Sequence, residues 1–101
     1  MKAAPQILRA GWCGIGLTIN WTPVWFAMGD GSYSVAHLEI IADERAPLPI
    51  TATGYRSHFT QAADIEAHGG PIAFALAWLE RDAASPAWKI VRDSARQLSL
   101  L

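Results

Sequence analysis

A chain of 101 residues, 51% apolar and 17% charged, carries enough hydrophobic side chains for one modest core and too few charges to stay disordered. A formal net charge of −1 excludes a strongly basic nucleic-acid binder, which gains affinity by neutralising phosphates, and equally an acidic mimic of DNA. Cys13 is the single cysteine, so a reducing cytoplasm is the expected compartment, and neither a secretory pattern nor an apolar stretch long enough to cross a bilayer is visible.

Ile15 to Trp21 alternates, with apolar residues at odd positions, and predicts a strand with one buried face. Thr22-Pro23 reads as a turn or strand break. A short apolar run from Val24 to Met28 follows. Asp30-Gly31 is a dipeptide that tolerates the positive φ angles of a tight hairpin, and Ser32 to Ala42 is its expected partner strand. In that register Ala36, Leu38 and Ile40 share one face, while Tyr33, Val35, His37 and Glu39 share the other. Pro47 and Pro49 make Arg45 to Thr53 an extended connection or an edge strand. Gly54 supplies a turn, and Tyr55 to Phe59 reads as a fourth short strand or a loop over the sheet.

The second half is Ala-rich and clearly punctuated. Thr60 is placed to cap a helix from Gln61 to His68, with Gly69-Gly70 as its stop. Pro71 opens a helix reaching about Ala84, with Ile72, Ala75, Leu76 and Leu79 on one face and Phe74 and Trp78 flanking it. Ser85-Pro86 begins a last helix to about Arg96, striped by Trp88, Val91 and Ala95. The sequence therefore predicts one α+β domain over residues 1–101. A small antiparallel sheet of three to four strands (about 12–59) is covered by two to three helices (about 60–96), leaving a tail at 97–101.

Five tryptophans in 101 residues is a heavy load, and Trp12, Trp21 and Trp25 fall close together. Large rings are an economical way to fill a small core. They are also the side chains that dominate protein interfaces. Trp21 continues the inward phase of its strand, so Trp12 and Trp25 are the expected exposed pair. The segment Gly54 to Phe59 sets Arg56, Ser57 and His58 between two aromatics just before a helix, which adds Tyr55, Arg56 and His58 to a candidate partner-binding set. A nucleophilic pair of Ser57 with His58 is disfavoured, because neighbouring residues in a strand point to opposite faces. His37, His58, His68 and Cys13 lack metal-ligand spacing, and Gly14-Ile15-Gly16 precedes a strand, not a helix, so it is no phosphate cradle. No metal, cofactor or catalytic residue is expected.

Gln97-Leu98-Ser99-Leu100-Leu101 resembles the peptide that bacterial proteins insert into the DNA sliding clamp, with Leu101 where an aromatic is usual. The resemblance implies clamp contacts by Gln97, Leu98, Leu100 and Leu101. Apolar residues in this position also commonly dock a last helix onto the core.

Ala46 to Phe59, continuing through Gly69-Gly70-Pro71 to Trp78-Leu79, resembles small accessory proteins carried by plasmids, prophages and integrative elements of proteobacteria. Such proteins often lie near antirestriction and other anti-defence genes. The resemblance implies a mobile-element accessory protein and transfers no catalytic residue. In size and in lacking a catalytic motif the chain is similar to anti-CRISPR proteins. The expectation is a non-enzymatic inhibitor that sterically blocks a host protein or nucleoprotein complex, CRISPR-Cas or another defence component. No direct contact with nucleic acid or membrane is expected. A homodimer through the sheet's second face would account for the tryptophans without any outside partner.

Overall fold

The computed structural model describes residues 5–27 and 34–99. Four strands form one antiparallel meander in the order β1-β2-β3-β4: β1 Gln6–Trp12, β2 Ile15–Ala27, β3 Ser34–Ala42 and β4 Tyr55–Thr60. Three helices follow, α1 Ala62–Ala67, α2 Pro71–Ala83 and α3 Pro86–Ser99. The α+β architecture is as the sequence predicts.

Two strand assignments differ from the sequence reading. Thr22-Pro23 does not end a strand. The pairing shifts from Thr22↔His37 to Phe26↔Val35, four residues on β2 against two on β3, and the strand continues. Proline has no N–H for the ladder, so the sheet accommodates Pro23 in this irregularity. The remaining strand comes from upstream, where β1 pairs with β2 from Gln6↔Trp21 to Trp12↔Ile15. Cys13 and Gly14 turn the chain between them at φ 49° and 79°, the two positive angles that a type I′ turn requires. The Asp30-Gly31 turn and Tyr33 lie outside the described residues.

One face of the sheet makes the core. Leu17 and Ile19 from β2 and Ala36, Leu38 and Ile40 from β3 are fully buried, as are Ile65 of α1 and Ala75 and Leu79 of α2. Between β3 and β4 a 3-10 turn at Asp43–Arg45 and a tight turn bridging Leu48 and Thr51 tuck Leu48 and Ile50 beneath the helices' side of the core. Gly54 then turns the chain into β4 at φ 73°, its carbonyl accepting the Ala42 amide at 2.8 Å.

Helix ends follow local chemistry. Gly69 and Gly70 close α1 by donating to the Glu66 and Ile65 carbonyls, a Schellman arrangement. Ser85 Oγ accepts the Trp88 amide at 3.2 Å and caps α3. Thr60 is not the cap of α1: it pairs with Ala36 in the sheet, Gln61 takes the cap position, and the Thr60 hydroxyl donates to Asp64 instead. The last helix runs three residues beyond its expected end, so Gln97, Leu98 and Ser99 are helical, whereas Leu100 and Leu101 lie outside the described residues. Among the described residues no helix is long and apolar enough to cross a membrane.

Candidate protein-binding surface

With α1 and α2 on one face, none of the described helices lies over the other face of the sheet. Alternation along each strand fixes what it displays. Three cross-strand rows can be read from the register: Arg9, Thr18, Ile41 and Tyr55; then Ile7, Asn20, Glu39 and Ser57; then Thr22, His37 and Phe59. Apart from Ile41, the first row is polar and tied down. Arg9 donates to both carboxylate oxygens of Asp43 at 2.8 Å and to Thr18 Oγ1 at 2.7 Å, which holds the Asp43 carboxyl below its usual pKa. Next to it Tyr55 donates its phenol to Glu39, and that bond, with burial and the Glu39 charge, raises the pKa of Tyr55.

The third row is aromatic. His37 is only 6% exposed although it lies on the uncovered face, because two rings cover it. Phe59 stacks on it at 4.4 Å and 18°, and Trp25 meets it at 4.6 Å and 58°. Trp25 and Phe59 also meet edge to face at 6.1 Å. Both outer rings remain open to solvent, 38% for Trp25 and 53% for Phe59. Ser57 Oγ lies 2.6 Å from His37 Nε2 and pins the imidazole from the adjoining row. Glu39, two residues along β3 on the same face, is committed to Tyr55 and Asn20, so the described bonds include no acid orienting this Ser–His pair. Its evident effect is to hold the aromatic stack in place.

The five residues singled out from sequence do not converge. Trp25 is exposed and Tyr55 is half-buried, both on the uncovered side. Arg56 and His58 face the helix side, where Arg56 lies 5.2 Å over the Trp78 ring and His58 stacks on Phe74. Trp12 is a correction: it is 6% exposed and belongs to the core. It sits in the inward phase of β1 with Leu8 and Ala10, meets Trp88 of α3 at 5.8 Å, and donates its indole N–H to Glu80 at 2.8 Å. Sequence reasoning missed His37 and Ser57 as partners because they lie twenty residues apart. Only the β3–β4 register brings them together.

The third-domain sequence pattern of KlcB matches residues 5–88, from the start of β1 into the first turn of α3. The chain belongs to the KlcB third-domain family. No curated protein and no solved structure matches it. KlcB is a plasmid-encoded protein, which agrees with a mobile-element accessory protein. Trp25, His37, Ser57 and Phe59 all lie inside the KlcB third-domain match, whereas Gln97 to Leu101 lie beyond it.

Proposed function

We propose that this KlcB third domain is a non-enzymatic protein-binding module that docks through the uncovered face of its sheet and sterically blocks a host nucleoprotein complex of the defence class. The observation carrying this reading is the cluster of Trp25, His37 and Phe59: two solvent-facing rings in mutual contact over a buried imidazole form a pre-ordered aromatic anchor, and such aromatics lose little entropy on binding. Glu39 and Ser57 in the adjoining row, with the Arg9–Asp43 pair and Tyr55 beyond them, supply the polar rim expected of a protein interface.

The test is a pull-down from a plasmid-bearing proteobacterial lysate with the intact chain and with a Trp25→Ala/Phe59→Ala variant. The intact chain should retain a defence complex and reduce its cleavage of target DNA, and the variant should lose both by at least about tenfold while keeping its melting temperature. Equal retention by both forms would place the contact elsewhere. Recovery of the sliding clamp, lost when residues 97–101 are removed, would replace this reading with replication docking. The helical backbone of Gln97 to Ser99 counts against that alternative, which needs an extended peptide. A concentration-dependent dimer abolished by the same double substitution would mean that the face is filled by a second copy.

A further inference from the structure

On the opposite side of the molecule, β4, α2 and the end of α1 border an open cleft of 310 Å³ lined by His58, His68, Phe74, Ala77, Trp78 and Arg81. We propose that this cleft binds a planar aromatic anion, with nucleoside monophosphates as its ligand class. The inference is independent of the docking face, with which the cleft shares no lining residue.

Planarity is read from the walls. Phe74 and Trp78 stand edge to face at 5.9 Å, His58 is stacked on Phe74 at 5.7 Å and 20°, and His68 meets Phe74 at 5.1 Å and 88°. Four rings packed against one another form an aromatic wall to the cleft, against which a flat ring can lie by stacking and edge contacts. The volume is at the small end of the range of roughly 300–1,000 Å³ usual for small-molecule sites.

Negative charge is read from the rim. The lining residues include no carboxylate, but Arg81 is among them and Arg56 lies over the face of Trp78. Arg81 gives its Nε to Asp82 at 3.1 Å, which leaves its terminal amino groups for a second acceptor; its side chain is 74% exposed. By contrast, Arg9 is matched bidentately to Asp43. A guanidinium fork suits a phosphate, and Arg81 on the cleft's edge, with the Arg56 charge held over neighbouring Trp78, matches a flat ring that carries one.

The histidines supply hydrogen bonds to ring heteroatoms. His68 Nδ1 donates to the Asp64 carbonyl at 2.8 Å, so in the neutral ring Nε2 is the acceptor. Burial, and secondarily the Arg56 charge, lower the His58 pKa and so favour its neutral ring, which carries one donor and one acceptor.

Calorimetric titration of the full chain tests this, with adenosine 5′-monophosphate, adenosine, inorganic phosphate and a short oligodeoxyadenylate as probes. Adenosine monophosphate should bind, and adenosine should bind at least about tenfold more weakly, since charge-assisted bonds to phosphate are lost. Arg81→Gln should reduce the nucleotide to the level of the nucleoside while leaving adenosine affinity and melting temperature unchanged. His58 and His68 ring resonances should shift on nucleotide addition. The proposal is overturned if the nucleotide does not bind at millimolar concentration, or if Arg81→Gln binds it as the parent does. It is also overturned if inorganic phosphate binds equally well, which would mark a bare anion site. Oligonucleotide binding without mononucleotide binding would point to a strand-binding surface instead.

Discussion

His58 shows how a single position acquires its properties from both directions of the chain. Burial against Phe74 and Trp78 is the larger cause of its lowered pKa, and the charge of Arg56 adds to it. The unfolded chain, titrating near 6.5, therefore binds more protons than the folded one just below that pH. Stability should be complete above 6.5 and should fall as pH drops through the lower folded value, then level off. Proton NMR should give a His58 midpoint below 6.5, moved upward by Arg56→Gln. An unshifted midpoint in both forms would contradict the burial. Gly54 is a second such residue, set by backbone alone. At φ 73° a side chain is strained, and a Cβ would lie 2.5 Å from the Arg45 carbonyl carbon. Gly54→Ala should cost roughly 1–2 kcal/mol for the left-handed conformation alone, with more from the clash, measurable by urea unfolding.

Among the elements, the strands and α3 are specified to different degrees. In β3, Ala36, Leu38 and Ile40 point inward, and Val35, His37 and Glu39 lie on the other face, as the period-two pattern predicts. In β1 the same period was present in Leu8, Ala10 and Trp12, but Ile7 on the opposite phase, 72% exposed, blurred it. An edge strand needs only one buried row, and its pairing with β2 supplies the rest. The last helix rests on the sheet's turn end chiefly through Trp88 against Trp12, and leaves Ile90 and Val91 open to solvent. Its start depends on the Ser85 cap. Ser85→Ala should lose about 1 kcal/mol of that helix's stability and speed hydrogen exchange of the amides at 87–89, while the amides of β2 and β3 stay protected. Faster exchange throughout the sheet would mean that α3 and the sheet unfold together.

At the scale of the molecule, the register of one meander sorts the aromatics into separate places. The chain measures 57 × 23 × 19 Å, and Trp12 and Trp25 sit near opposite ends of the long β2 path. Trp12 joins α3 at one end; Trp25 joins His37 and Phe59 on the uncovered face at the other. Removal of residues 97–101 should therefore leave docking through that face unchanged, because the aromatic stack lies within β2, β3 and β4. Loss of docking with an unchanged melting temperature would move the contact to the tail.

The α+β class, the helix starts at Pro71 and Pro86, the Gly69-Gly70 stop and the inward rows of β2 and β3 were legible because each depends on side-chain period or on backbone chemistry within a few residues. The sequence by itself also determined, through strand phase, that Trp21 would be buried; Trp25, of the same parity, is open because the β2–β3 pairing shifts between Thr22 and Phe26. Only the tertiary structure decided that Trp12 belongs to the core, that Ser57 answers His37 instead of its neighbour His58, and that Arg56 and His58 turn to the helix side while Tyr55 does not. The alternation was visible, but which phase of β4 faces the helices depends on its pairing to β3 across the Gly54 turn. Those pairings are long-range, and no local propensity encodes them.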